Sequence, residues 1–222
     1  MDFYVTFVRF FQEGGPFMYP IAAVLAIGFA IAIERYVYLT RTMSRNRRDY
    51  KRMLPLLQQG RVKELAQQAR GQRSAISHIY ADGLARMPNS RRRQDIEYAM
   101  EEGLLEILPV IEKRTNYLAT FANVATLLGL LGTIIGLIAA FTAVANADPA
   151  EKATLLSQSI SIAMNTTAFG LMVAIPLLLI HSYLQGKTSA IIESLEIAVV
   201  KFLNFMERNH LNAPEPRRGK AA

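Results

Sequence analysis

Three stretches of the chain contain no Asp, Glu, Lys or Arg: residues 16–33, 116–147 and 153–186. A helix needs roughly 20 apolar residues to cross the hydrocarbon core of a bilayer. The first stretch just meets that length, and its helix is expected to end at an interface marked by Glu34-Arg35. The other two exceed it, so their helices are expected to project beyond the lipid. The pattern predicts an all-α integral membrane protein with three transmembrane helices. Two of them are long and extend into the cytoplasm, and a helical cytoplasmic domain accompanies them.

Between and around these blocks the apolar residues keep helical spacing. Phe3, Phe7, Phe10 and Phe11 outline a short amphipathic helix over 1–15, placed at the outer interface. The first membrane helix covers 16–39, with Pro16 near its start, Pro20 in its first turn, and Tyr36 and Tyr38 as interfacial anchors. In the cytoplasmic segment 40–114, Leu54, Leu57, Val62 and Leu65 suggest a short hairpin broken near Gly60, and Ile76, Ile79, Tyr80 and Leu84 suggest another. A turn at Met87-Pro-Asn-Ser90 precedes a long helix that opens around Arg91 and runs directly into the second membrane helix, 115–147, with Pro109 bending it. Asp148-Pro-Ala-Glu151 has the make-up of a helix start, so the third membrane helix spans 148–186 with a kink at Pro176. A cytoplasmic helix over 187–209 and a charged, Pro-rich, disordered tail over 210–222 complete the chain.

The formal charge of +7 invites a nucleic-acid reading, but its placement points elsewhere. Sixteen Lys or Arg fall between residues 40 and 114 and six more after Gly186, whereas the first fifteen residues hold only Arg9. The connection 144–155 holds only Lys152. This is the positive-inside asymmetry: N-terminus outside, 40–114 in the cytoplasm, C-terminus inside. Membrane topology accounts for the basic balance without a nucleic-acid partner, and clusters such as Arg91-Arg92-Arg93 suit anionic lipid headgroups. The first fifteen residues lack a basic region and the apolar block after them has no clear small-residue cleavage site, so the first block is expected to stay as an anchor. Cysteine is absent, which excludes disulfides and thiolate metal sites. No phosphate loop, dinucleotide fingerprint or zinc-protease motif is present, so the chain reads as neither an enzyme nor a cofactor or metal protein. His181, near the inner end of the third membrane helix, reads as a polar anchor rather than a proton relay.

The membrane blocks are apolar but not uniform. At 100° per residue, Asn123, Thr126 and Thr133 fall within roughly 80° of one another, with Thr120 about 60° to the other side of Asn123. Ala125, Gly129, Gly132, Gly136 and Ala143 group on the roughly opposite face, shaved for close helix contact. On the third helix Ser157, Gln158, Ser161 and Asn165 share a strip about 100° wide, and Thr167 lies about 160° from Asn165. Such residues either hydrogen-bond helices together or line a polar interior shared by an oligomer. Neither block holds an ionisable residue away from its ends, and ion pathways usually need one, so a pore would take its acid from another polypeptide.

"ATLLGLLGTIIGLIAAF" (125–141) and "SISIAMNTTAFGLMVAIPLLLIHSYL" (159–184) resemble the second and third membrane helices of the ExbB/TolQ/MotA proton-channel family. The paired elements are Leu128-Gly-Leu-Leu-Gly-Thr133 and Thr166-Thr167-Ala-Phe-Gly170 followed by Ala174-Ile-Pro176. Three membrane helices fit the ExbB and TolQ types. The resemblance implies a homopentamer in the bacterial inner membrane around an ExbD/TolR-like partner whose membrane helix carries an Asp. It implies that Thr133 and Thr167 match the family's two pore-facing threonines and border the proton pathway. Proton flow would then drive a TonB- or TolA-like protein, for transport across the outer membrane. Asn123, Thr126, Ser161, Asn165 and Thr166 are candidates for pore lining or helix contact, and Gly129, Gly132, Gly136 and Gly170 for helix packing. Two departures stand out. Thr126 replaces a proline frequent in the family, and Ile162 replaces a Glu that some members carry. The competing readings are a permease subunit, for which substrate-binding charges are missing from the helices, and a membrane scaffold without transport.

Overall fold

A computed structural model describes residues 10–11, 14–89 and 92–211. The described residues are helical throughout, with no strand. Beyond the helical pair 10–11, the described residues form α1 (Met18–Gln58), α2 (Val62–Arg70), α3 (Ala75–Arg86), α4 (Arg93–Glu112), α5 (Thr115–Asn146) and α6 (Lys152–Leu211). A 3-10 turn, Met87–Asn89, links α3 to α4. The outer helix expected over 1–15 lies almost wholly outside the described residues, as does the tail from 212 onward. Among the described residues three helical stretches are long and apolar enough to cross a membrane: Met18–Gln58, Arg93–Asn146 (which takes in α4 and α5) and Lys152–Arg208.

Several expectations need correction. The first membrane helix does not end at Glu34-Arg35 but continues to Gln58. No glycine interrupts it after Gly28, and Leu39, Asn46, Met53 and Leu57 carry a buried stripe along the extension. The break near Gly60 is present, with Gly60 at φ +69°, a conformation that glycine adopts without steric cost. The second expected hairpin is the single helix α3, whose start is capped by the Ser74 hydroxyl accepting from the Ser77 N–H.

The fourth helix does not run into the second membrane helix. Lys113 leaves helical geometry and Arg114 adopts the left-handed region at φ +65°. That conformation costs a non-glycine residue roughly 1–2 kcal/mol, so the local sequence does not favour it. Burial on either side does: Ile111 is buried before the break, and Thr115 and Leu118 after it, so the two helices set their buried faces independently. Conversely, Gly186 does not end the third membrane helix. α6 runs unbroken for 60 residues because the buried stripe Leu184, Thr188, Ile191, Leu195 passes through that point. A glycine within a helix costs about 1 kcal/mol, which such packing overrides. At its other end, Lys152 N–H donates to the Asp148 carbonyl at 3.2 Å, so the chain is already turning at Pro149, although the regular helix starts at Lys152.

The chain divides into two compact units. One comprises 1–36 and 114–185, the other 37–113 and 186–222. In the second unit the core consists of large side chains: Met53, Leu65, Ile79, Tyr80, Ile96, Met100, Leu195 and Phe202 are all nearly inaccessible. The Tyr80 and Phe202 rings lie 5.1 Å apart, and the Tyr80 hydroxyl donates to the Ala198 carbonyl at 3.1 Å. Burial, reinforced by nearby Tyr50, pushes the Tyr80 phenol well above its ordinary pKa.

Candidate functional site

In the first unit α5 and α6 meet through their smallest residues. A Cβ on Gly129 would stand 3.2 Å from the Thr167 Cα and 3.3 Å from the Gly170 Cα. One on Gly170 would stand 2.7 Å from the Ala125 carbonyl oxygen. Gly136 faces Ala163 in the same way, at 3.0 Å from its Cβ, and Gly132 faces the Thr166 side chain and Phe17. Spacings of four, three and four residues align these glycines with Ala125 on one flank of α5. Close backbone approach of this kind gives van der Waals packing where lipid supplies no hydrophobic force between helices.

Thr133 and Thr167 come together at this contact. Both hydroxyls lie within hydrogen-bonding reach of the Gly129 carbonyl, at 3.1 and 2.9 Å, and of each other. Both side chains are partly buried. The same helical arithmetic explains the pairing: Thr133 is only about 40° from Gly129 around α5, nearer the small face than Asn123 is. Thr133 therefore stands at the edge between the polar strip and the helix contact, not at the centre of the strip.

The remaining candidates are placed differently. Thr126 is exposed and returns its hydroxyl to the Ala122 carbonyl at 3.1 Å, as Thr120 does to Asn116 at 3.4 Å. This back-bonding is how a hydroxyl is satisfied within an apolar helix. Asn123 and Ser161 are exposed, and Asn165 is half-buried. Ser161 lines an open hollow of about 800 Å³ with Ser157 and Gln158. Thr166 is buried and donates to the Gly14 carbonyl at 2.7 Å, with the Ile162 carbonyl at 2.9 Å. It fastens α6 to the segment leading into α1. The His181 Nε2 is buried with no hydrogen-bond partner among the described residues.

One residue had no assigned role in the sequence reading. Gly15 takes φ +73°, and a Cβ there would stand 3.0 Å from the Ile162 side chain. The doublet Gly14-Gly15 before Pro16 is the signal for such a turn laid against a helix. Among the described residues no three His, Cys, Asp or Glu come together as a metal site. The arrangement can donate and accept hydrogen bonds at one point in an apolar contact, but it holds no group that ionises.

A family model described as the MotA/TolQ/ExbB proton channel family matches residues 71–197, a range that includes both threonines and all four packing glycines. The putative biopolymer transport protein ExbB homolog of Methanothermobacter thermautotrophicus is 32% identical over 200 residues, covering 89% of this chain and 69% of that protein. The putative biopolymer transport protein ExbB-like 3 of Synechocystis is 26% identical over 169 residues, covering 76% and 80% respectively. The Tol-Pal system protein TolQ of Haemophilus influenzae is 30% identical over 110 residues, covering 50% of this chain and 48% of its own length.

Proposed function

This chain belongs to the MotA/TolQ/ExbB proton channel family, and from that premise we propose that it is the stator-like subunit of a proton-driven motor. It assembles as a homopentamer in the inner membrane, N-terminus outside and C-terminus in the cytoplasm. An ExbD/TolR-like partner supplies one membrane Asp as the proton carrier. The work is delivered to a TonB- or TolA-like protein, for transport across the outer membrane. The observation that carries this reading is the Thr133–Thr167 pair on the Gly129 carbonyl, between stretches 116–147 and 153–186 that contain no Asp, Glu, Lys or Arg. Two hydroxyls can hydrogen-bond a partner carboxyl in either protonation state, but they cannot carry protons alone.

The test is proton flux into proteoliposomes under an imposed potential. The protein alone should conduct negligibly, and the complex should conduct. Changing the partner's membrane Asp to Asn should abolish flux while the complex stays intact. Thr133→Val and Thr167→Val keep side-chain shape and remove one hydroxyl each. A hydrogen bond to a charged group contributes about 1.5 kcal/mol or more, which predicts a roughly tenfold or greater loss of flux. Strong flux from the protein alone, or normal flux in both threonine variants, would sink the reading.

A further inference from the structure

The second unit contains a cleft of about 600 Å³ that the motor reading leaves without a role. It is bounded by α1, by the end of α2 and its link to α3, by α3 itself, and by α4. Three guanidinium groups contribute to its lining: Arg45 from α1, Arg70 from the last turn of α2 and Arg73 from the link. All three are exposed. None of the three forms an ion pair or side-chain hydrogen bond among the described residues, unlike Arg61, Arg93 and Arg114, which pair with Glu64, Glu207 and Glu34. The acidic lining residue is Glu106, and the lining His78 is already held by Asp82 at 2.9 Å. The cleft therefore carries an excess of positive charge with no counter-charge in contact.

An independent feature lies in the same wall. Asn46 lines the cleft, is 4% exposed, and neither its amide nitrogen nor its carbonyl oxygen has a hydrogen-bond partner among the described residues. A buried carboxamide that is left unsatisfied on both atoms carries a penalty the chain itself does not offset. Apolar side chains also line the cleft, among them Ile107 and Val110 from α4 and Tyr38 from α1. Tyr38 and Thr42 lie one to two turns beyond Glu34, so one edge of the cleft is about 6–12 Å along α1 from the end of the charge-free block.

We propose that this cleft binds an organic phosphate. Arginine forks match phosphate oxygens in geometry and charge. The Asn46 amide completes the polar contacts, and the apolar side chains take the carbon-bearing part of the ligand. The same chemistry is offered by a soluble phosphate ester and by the headgroup of an anionic phospholipid entering past Tyr38.

The full chain in phosphatidylcholine nanodiscs is titrated with glycerol phosphate, with phosphorus NMR line broadening as the readout. A parallel arm introduces phosphatidylglycerol into the bilayer and counts retained lipid by native mass spectrometry. Saturable binding is expected, weakened about tenfold or more in Arg70→Gln/Arg73→Gln. Asn46→Leu should weaken it as well while keeping the fold, because it removes an unmet polar group at similar volume. Arg47→Gln/Arg48→Gln removes equal charge outside the cleft and should leave binding unchanged. Binding confined to the first arm assigns a soluble ester, and binding confined to the second assigns a lipid headgroup. No saturable binding in either arm, or equal losses in cleft and control variants, overturns the proposal.

Discussion

The two units solve the same problem, packing helices, with opposite materials. In the unit of 37–113 and 186–222 the interior is filled by Tyr80, Phe202, Met53 and Met100, as in a water-soluble helical domain. In the unit of 1–36 and 114–185 many of the large apolar residues face outward, with Leu127 63% and Leu179 67% exposed, while Ala125, Gly129, Gly132, Ala163 and Gly170 lie inside. In water the first arrangement removes apolar surface from solvent. In lipid that gain disappears, because the surroundings are as apolar as leucine, and close contact between small residues becomes the source of cohesion. A single chain can hold both designs because each core answers to the solvent around it.

Substitutions can break this contrast in graded steps. The largest effect is expected for Gly170→Val. Its new Cβ meets the Ala125 carbonyl and the Gly129 Cα, which are backbone atoms that cannot step aside, so no monodisperse folded protein should be recovered by gel filtration. Wild-type recovery would show that the helix contact tolerates separation. Next comes Phe202→Ala, which opens a cavity in the soluble-type core and should cost about 3–5 kcal/mol in chemical unfolding. A loss below about 1 kcal/mol would mean that this unit is not a conventional core.

Tyr80→Phe removes one buried hydrogen bond and should cost about 1 kcal/mol at neutral pH. It also tests a pH dependence whose sign follows from the raised phenol. The folded pKa lies above the unfolded value of about 10. Stability is therefore fully present below about pH 10 and falls as pH rises beyond it, because the unfolded chain releases the proton first. The Phe variant should lose part of that alkaline decline, and an unchanged profile would exclude Tyr80 as its source. The smallest effect is expected for Leu179→Ala, which should shift stability in lipid by less than about 0.5 kcal/mol, as at a surface position. A core-sized loss there would place Leu179 in an interface between chains.

The three membrane-length helices were legible because uncharged runs of this length have few alternatives. Spacing groups Gly129, Gly132 and Gly136 on one face of α5, and a Cβ on each would meet atoms of α6. What escaped the sequence reading were decisions made by packing. Arg114 adopts a left-handed conformation with no Gly or Asn to announce it, and Gly186 looked like a helix end although the buried stripe carries α6 through it. Thr133 was grouped with Asn123, about 80° away, yet about 40° in the other direction brings it to Gly129, and only the neighbouring helix shows which contact it makes. The arginine cleft was invisible for a different reason: its lining is drawn from positions 38 to 111 and no local pattern joins them.

The two threonines leave a proton-counting problem with more than one solution. Each hydroxyl has one hydrogen to give, so the pair has two, yet three contacts are within reach: two to the Gly129 carbonyl and one between the oxygens. Thr133 can donate to the carbonyl while Thr167 donates to Thr133, or the roles can be exchanged, or both can donate to the carbonyl. Passing between these states requires only rotation about the C–O bonds, with every heavy atom fixed. The pair is therefore degenerate in its hydrogen positions: one arrangement of heavy atoms admits three placements of two hydrogens.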